Sequence, residues 1–259
     1  MAELVAGKSS FPIEGILFDK DGTLLDFVSM WGTWSCHLLQ AFSQRLTERQ
    51  GNWGGADLYA LWGIALDRNG LAIGYDRNGP LAMGTIGELI SILASQGYAS
   101  GLSWADAKRM AYECKQLADA AMERERPVKP MAGVLSFLEA CRQRNLRLAV
   151  VTADETEMAL RHLEWLNIRH YFHEVIGTDQ VEKGKPFPDM VELACRKLNL
   201  DCSQVAVIGD TNGDMMMAHA ARAAVGIGII DTAQTDGKRL LEAADVIVTS
   251  YDELSFGRS

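Results

Sequence analysis

Two acidic residues, Asp19 and Asp21, follow a short apolar run that starts at Ile16. Gly22 comes next and indicates a turn, so the acids are expected at the carboxyl end of a buried strand. Two carboxylates this close resist joint ionisation. Chains hold such pairs where a cation neutralises them, or where one carboxylate attacks a substrate and the other transfers a proton. An ordinary Asp-Gly turn is the alternative. Lys20 is expected to point to the opposite side of the strand and is interpreted as structural.

Other polar residues follow later apolar runs in the same way. Thr152 ends one run, and Ala153 after it is expected to open a helix. Asp210 and Asp214 follow another run, and Lys185 precedes a proline that fixes the backbone. Any one of these residues alone is more often a helix cap or a surface group. Because ligands of parallel α/β sheets bind beyond the carboxyl ends of the strands, we expect these side chains to converge with the opening acids.

The residue types that would converge suit a metal ion and a phosphate group. Asp19, Asp21 and Asp210 offer the hard oxygen ligands that Mg²⁺ prefers. Thr152, the N–H groups at the start of the helix after it, and Lys185 offer hydrogen-bond donors to a phosphate. The sequence therefore predicts a site where a divalent cation and a lysine together receive an anionic substrate.

The elements that would position this site follow from the hydrophobic pattern. After Pro127 the chain alternates apolar runs with amphipathic segments, which indicates βαβ units and a parallel sheet with helices on both faces. The predicted strands are 146–152, 174–176, 204–209, 224–230 and 245–249, and the predicted helices are 133–144, 155–166, 188–198 and 213–223. The opening strand belongs with this part. We therefore expect a discontinuous, Rossmann-like α/β core formed by residues 1–26 and 127–259, with residues 1–15 as a loose lead-in.

Residues 27–126 show helical spacing of apolar side chains and are expected to form an all-helical insertion. A tetrapeptide, Asp67-Arg68-Asn69-Gly70, recurs as Asp76-Arg77-Asn78-Gly79 and indicates two tight turns. A loop that presents Arg68 or Arg77 to an anion is the alternative. The segment Leu71-Ala72-Ile73 after the first copy is consistent with a short strand. The tryptophans of the insertion are expected to pack against one another in its core; they are Trp31, Trp34, Trp53, Trp62 and Trp104.

The composition excludes several classes of protein. The net charge of −9 argues against general nucleic-acid binding, which needs a basic face. No apolar run is long enough for a membrane helix, and the first 15 residues do not resemble a signal peptide. The five cysteines lack CxxC spacing, which favours reduced thiols and a cytoplasmic location over disulfides or a zinc site.

Four segments together resemble the motifs of the haloacid dehalogenase superfamily of hydrolases, in the branch of phosphoglycolate-phosphatase-like enzymes. They are Phe18-Asp19-Lys20-Asp21-Gly22-Thr23-Leu24, Thr152, Gly184-Lys185-Pro186, and Gly209-Asp210-Thr211-Asn212-Gly213-Asp214. The resemblance covers residues 10–26 and 127–250, and the insertion is similar to the helical cap of that superfamily. It implies a Mg²⁺-dependent phosphatase that acts on a small phosphorylated metabolite.

The resemblance also implies a role for each matching residue. Asp19 is the nucleophile that forms an aspartyl-phosphate, and Asp21 is first the acid for the leaving group and then the base for water. Thr152, Ala153 and Lys185 hold the phosphoryl group. The Mg²⁺ ligands are Asp19, the backbone carbonyl of Asp21, Asp210 and, directly or through water, Asp214. Lys183 does not fit the motif spacing.

Related activities remain as alternatives. A phosphomutase similar to beta-phosphoglucomutase would keep the same four motifs, and a phospho-acceptor regulatory module would share the acids, the threonine and the lysine. The phosphonate-cleaving branch needs an early lysine in its insertion, and no lysine lies between Lys20 and Lys108. The sequence does not identify the substrate or the oligomeric state. If the substrate has a second anionic group, the candidates for binding it are Arg45, Arg49, Arg68 and Arg77.

Overall fold

A computed structural model describes residues 1–50, 57–77, 79–230 and 241–257. The chain divides into two compact units, Met1–Asp26 with Val128–Ser259 and Phe27–Pro127. Trp53 and Asn78 lie outside the described residues. None of the described helices is long and apolar enough to cross a membrane.

The first unit is built on a parallel sheet, whose described strands are β3 Gly15–Phe18, β6 Arg147–Val151, β7 Glu174–Ile176, β8 Val205–Gly209, β9 Val225–Ile229 and β10 Val246–Val248. Their order across the sheet is β10-β9-β8-β3-β6-β7. The strand that precedes the two acids therefore lies between β6 and β8. This topology confirms the prediction of a parallel α/β core, and the strand bounds agree with the predicted ones to within one or two residues.

Alternating side chains bury both faces of this sheet. In β3, Ile16 and Phe18 belong to one apolar cluster, whereas Leu17 belongs to another. Helices α6 Val134–Gln143 and α7 Thr156–Trp165 cover the first face, and α8 Asp189–Leu198 and α9 Asn212–Ala220 cover the second. A strand buried on both faces is an unbroken apolar run, which explains why these strands are readable in the sequence.

The first 15 residues are not a loose lead-in, and that expectation is wrong. Strands β1 Ala2–Ala6 and β2 Ser9–Ile13 form an antiparallel hairpin, and β1 also pairs with β11 Leu254–Phe256. Inward-facing residues of this small sheet, such as Leu4, join the apolar cluster on the first face of the parallel sheet. The pairing of β1 with a strand from the far end of the chain leaves no local signal in the sequence.

The second unit is mainly helical. It contains one π-helical turn at Val28–Gly32 and the helices α1 Thr33–Gln50, α2 Leu58–Trp62, α3 Pro80–Met83, α4 Ile86–Ala99 and α5 Trp104–Glu125. It also contains an antiparallel hairpin, β4 Ile64–Leu66 with β5 Ala72–Tyr75, which an all-helical insertion does not include. The turn of this hairpin is the first copy of the repeated tetrapeptide, where Asp67 Oδ1 accepts hydrogen bonds from the Asn69 and Leu71 N–H groups.

Three of the tryptophans in the second unit pack as expected. Trp34 stacks on Trp62 with ring centroids 5.8 Å apart, and Trp31 meets Trp34 edge-on at 5.5 Å. Trp104 instead is half-exposed and contacts Tyr98.

The segments of the first unit that flank the insertion pair with each other. The N–H of Asp26 donates to the carbonyl of Lys129 at 2.8 Å, and the N–H of Met131 donates to the carbonyl of Leu24 at 3.0 Å. The chain therefore leaves the first unit and returns to it at adjacent points.

Candidate active site

The turn after β3 places Asp19 and Asp21 at the carboxyl edge of the sheet. The N–H of Asp19 donates to the carbonyl of Ile208 at 2.8 Å, so this residue stays bound to the neighbouring strand. The chain then turns at Gly22, whose φ of +80° favours glycine. A Cβ atom at Gly22 would lie 2.3 Å from Asp210 Oδ2, so the turn also needs glycine to let the two segments approach.

A second turn, between β8 and α9, carries Asp210 and Asp214. Thr211 caps α9, and its side chain and that of Asp214 form a reciprocal capping box. Asp214 Oδ2 accepts from the Thr211 hydroxyl at 2.6 Å, which fixes the orientation of this fully buried carboxylate. The prediction that this segment opens a helix is confirmed.

Lys185 joins the two turns. Its Nζ lies 2.5 Å from Asp19 Oδ1 and 2.6 Å from Asp214 Oδ1. Burial alone would lower the pKa of Lys185, but these two carboxylates raise it, so the side chain stays a cation. Lys183 instead places its Nζ 5.2 Å from the centre of the Phe187 ring.

Asp19, Asp210 and Asp214 form a buried cluster whose carboxylate oxygens, one from each residue, lie within 4.8 Å of one another. Burial, which is opposed by Lys185 and reinforced by Asp214, raises the pKa of Asp19 to about 8. Such a cluster costs free energy unless a cation shares it, and a donor set of carboxylate oxygens suits a hard divalent ion. The residues present therefore fit a bound divalent metal ion. The side chain of Asp21 is not part of the cluster found among the described residues.

Thr152 and Ala153 follow β6, the strand next to β3. Thr152 is buried, and its Oγ1 accepts a hydrogen bond from the Asp154 N–H at 3.2 Å. Helix α7 begins at Thr156 rather than at Ala153, which is an exposed loop residue. The N–H of Thr156 donates to Asp179 Oδ1, so this N–H at the helix start already has an acceptor in the protein.

Strand alternation predicts that Lys20 points away from the acids, and this prediction is wrong. β3 ends at Phe18, and the chain turns at once, so the period of two no longer applies. The Lys20 side chain is fully buried, and its Nζ lies 2.8 Å from Asp21 Oδ1, 3.0 Å from His162 Nδ1 and 3.2 Å from Asp154 Oδ2. This cluster of Lys20, Asp21, Asp154 and His162 was not anticipated from the sequence.

The charges of this second cluster influence the pKa values of its members. Burial would raise the pKa of Asp154, but the neighbouring Lys20 ammonium lowers it to about 2. Burial and the neighbouring ammonium lower the pKa of His162, so its ring is neutral. Asp154, two residues after Thr152, is a sequence signal for this cluster, because a buried lysine needs an acidic partner.

Comparisons with known proteins agree with this geometry. The family model described as haloacid dehalogenase-like hydrolase matches residues 13–222. A phosphorylated carbohydrates phosphatase from Thermotoga maritima is 27% identical over 243 residues, which are 93% of this chain and 96% of that protein. A phosphoglycolate phosphatase from Pasteurella multocida is 36% identical over 92 residues, 36% of this chain and 41% of that protein. A solved structure from Thermotoga maritima, described provisionally as a beta-phosphoglucomutase, aligns with a TM-score of 0.62 and 25% identity over 91% of this chain and 94% of that one.

Proposed function

The chain belongs to the haloacid dehalogenase-like hydrolase family, and from this premise we propose that it is a Mg²⁺-dependent phosphatase of a small phosphorylated metabolite. The resemblance drawn from the four motifs is thereby confirmed, whereas the roles of single residues stay part of the proposal. One observation supports this proposed function above all. The Asp19 carboxylate lies at the edge of the sheet beside Lys185, Asp210 and Asp214, and a second carboxylate follows two residues later.

The first step transfers the phosphoryl group to the protein. An oxygen of the Asp19 carboxylate attacks phosphorus, and a new P–O bond forms as the bond to the leaving oxygen breaks. The electron pair of the broken bond stays on the leaving oxygen, which takes a proton from the carboxyl group of Asp21. The alcohol leaves, and Asp19 carries the phosphoryl group.

The second step returns the enzyme to its starting state. The Asp21 carboxylate accepts a proton from a water molecule whose oxygen attacks phosphorus, and the bond from phosphorus to Asp19 breaks. Inorganic phosphate leaves, Asp19 is a carboxylate again, and Asp21 is protonated for the next turnover. Over both steps, the hydroxyl group added to the phosphate comes from water, and the proton that Asp21 gave to the alcohol is replaced from the same water molecule.

Positive charge must offset the phosphate at a cluster of acids. Asp19, Asp210, Asp214 and the backbone carbonyl of Asp21 would hold Mg²⁺, which supplies electrostatic stabilisation of the transferring phosphoryl group. Lys185 neutralises part of the charge of Asp19 and Asp214 and donates to the phosphate oxygens. Thr152 and the N–H of Ala153 provide further donors beside them.

The substitution Asp19→Asn tests the mechanism, because an amide of the same shape cannot form the phospho-enzyme. With a panel of phosphorylated metabolites and Mg²⁺, we expect the wild-type protein to release inorganic phosphate and the variant to release none above background. Circular dichroism and the melting temperature check that the variant is folded. A folded Asp19→Asn protein with the wild-type rate would overturn the mechanism.

The structural likeness to a protein described provisionally as a beta-phosphoglucomutase supports a second candidate, transfer of the phosphoryl group back to a sugar. The two activities differ in their products. Incubation with a sugar phosphate should yield free phosphate if the protein is a phosphatase and an isomeric sugar phosphate if it is a mutase. The relative that covers nearly the whole chain is named as a phosphatase, which favours hydrolysis.

We further propose a cytoplasmic location. All five cysteines are free thiols, and Cys114, Cys141 and Cys195 are buried, as expected in a reducing compartment.

A further inference from the structure

The Lys20 cluster, which consists of Lys20, Asp21, Asp154 and His162, is a buried group of charged and polar side chains next to the candidate site. A lysine is almost never fully buried unless it is paired, because removing an ammonium from water is costly. An ammonium has three N–H donors and no acceptor. Lys20 has three neighbouring acceptor atoms, one each from Asp21, Asp154 and His162, at 2.8 to 3.2 Å.

Because the ammonium can only donate, His162 Nδ1 must be the acceptor, and the proton of the neutral ring is on Nε2. This sets the tautomer of a residue on α7. The Asp154 carboxylate is held from its other side, since Oδ1 accepts from the Glu155 N–H at 2.9 Å. The ammonium is therefore held in place by two elements that follow β6 and by the turn that follows β3.

We propose that Lys20 is a positioning residue that fixes the Asp21 carboxyl group in the orientation needed for proton transfer. The proposal rests on the proposed function, in which Asp21 is the acid and then the base. Nζ binds Oδ1 at 2.8 Å, and an oxygen that accepts a charge-assisted hydrogen bond does not also carry the mobile proton. Oδ2 is thus the oxygen that gives the proton to the leaving group and takes one from water.

The competing explanation is that the cluster serves stability alone. A buried ion group is weak evidence for a stabilising role, because well-packed apolar residues of similar volume often stabilise a fold as well or better. Two long-range contacts, from Asp154 and His162, converge on the Lys20 Nζ that also binds the proposed acid, and one of these partners is uncharged. Pairing of charges alone does not require that arrangement. The two explanations differ in what they predict for the two chemical steps.

Lys20→Met separates them, because it keeps the length of the side chain and removes the donor. Release of the leaving group is measured in a single turnover with two substrates, an alkyl phosphate, whose alkoxide must be protonated, and an aryl phosphate, whose phenolate leaves without a proton. We expect Lys20→Met to slow release of the alcohol by about 10- to 100-fold, in the range that misplacement of a proton donor costs. Release of the phenolate should change by less than about threefold, because that step needs no proton from Asp21.

Lys20→Met/Asp154→Asn is the matched control for folding. The double substitution removes the negative charge that Lys20→Met leaves unpaired in the interior, so it should recover thermal stability. The proposal expects the alcohol step to remain slow in this protein. Recovery of that step together with stability would overturn the proposal, as would equal slowing of both substrates by Lys20→Met.

Failure of the proposed function gives a different result. If the wild-type protein released no phosphate, or if Asp19→Asn retained the wild-type rate, the chemistry assigned to the site would be wrong. Wild-type turnover that depends on Asp19, with equal slowing of both esters in Lys20→Met, would overturn only the role of Lys20.

Discussion

At the scale of single residues, Lys185 and Lys183 form a natural comparison. They are two positions apart, but the Nζ of Lys185 contacts Asp19 and Asp214, whereas that of Lys183 lies over an aromatic ring. Lys185→Met should lower kcat/KM for phosphate release by about 100-fold or more, because one preorganised charge at a transferring phosphoryl group contributes about that much. Steady-state assays with saturating Mg²⁺ measure it.

Lys183→Met is the matched control and should stay within about threefold of the wild-type protein. A larger loss in Lys183→Met than in Lys185→Met would contradict the assignment of the phosphate-binding lysine.

Asp154 should contribute to the acid stability of the fold. Its pKa falls from an ordinary value of 3.8 to about 2 in the folded protein, because the attraction of the Lys20 ammonium outweighs the effect of burial. The ionised form therefore stabilises the folded state, fully above about pH 4, and this contribution is lost as the pH falls towards about 2. A difference of this size corresponds to about 2 kcal/mol.

Urea unfolding of the wild-type protein and of Asp154→Asn at several pH values measures this contribution. The gap in unfolding free energy should be widest near about pH 6 and should narrow as the pH falls below about 4. A gap that does not change with pH would show that the ion pair does not act as described.

The position of a side chain in the site could be predicted where that side chain directly follows a buried strand. Asp19 and Asp210 could be found in this way because the strand before each is an apolar run. Lys185 was found from its motif and its proline. Lys20 was misplaced because its contacts depend on the turn after Phe18 and on His162, which is 142 positions away in the sequence. Periodicity within one element carries no information about such a contact.

At the scale of elements, the turn that contains Gly22 limits how closely β3 and β8 can bring their acids together. Gly22→Ala should destabilise the fold by about 3 kcal/mol or more, because it adds the cost of a positive φ to a clash with Asp210. It should also reduce phosphate release, since Asp210 must move. Thermal unfolding and steady-state assays report the two effects.

Gly70→Ala separates these costs. Gly70 has a φ of +79°, almost that of Gly22, but no atom lies within 4 Å of a Cβ built there. This variant should lose only about 1 to 2 kcal/mol and keep its activity. Equal destabilisation by the two substitutions would mean that the contact with Asp210 is not tight.

The elements differ in how far they could be predicted. Strands of the parallel sheet are buried on both faces and are readable as apolar runs. The hairpin β1–β2 and its partner β11 are short and in part exposed, so their pattern resembles a loop until the distant pairing is known. Of the hairpin β4–β5, the Asn-Gly turn and part of β5 were recognised, whereas β4 was hidden in the same way.

At the scale of the whole molecule, the acidic cluster should link stability to divalent cations. A ligand that binds only the folded state at about 100 times its Kd adds about 3 kcal/mol to the free energy of unfolding. We therefore expect Mg²⁺ to stabilise the protein and EDTA to remove the effect. Asp210→Asn should abolish the stabilisation by Mg²⁺ and should stabilise the metal-free protein, because Asp210 raises the pKa of Asp19 through like-charge repulsion.

Differential scanning calorimetry with and without Mg²⁺ tests this expectation. Asp106→Asn, in a surface ion pair of the second unit, is the control and should leave the effect of Mg²⁺ unchanged. Equal stabilisation of the wild-type and Asp210→Asn proteins would place the cation elsewhere.

The pairing of Asp26 with Lys129 also bears on how the chain folds. β3 and β6 are neighbours in the sheet, yet the whole second unit separates them along the chain. Closing a flexible loop of about 100 residues costs about 2 kcal/mol more chain entropy than closing one of about 10. An insertion that becomes compact early, with its two ends at adjacent backbone positions, shortens that loop to the length of an ordinary connection. We therefore expect the order of folding events to run from the insertion to the parallel sheet, with β3 pairing with β6 only after the insertion between them has become compact.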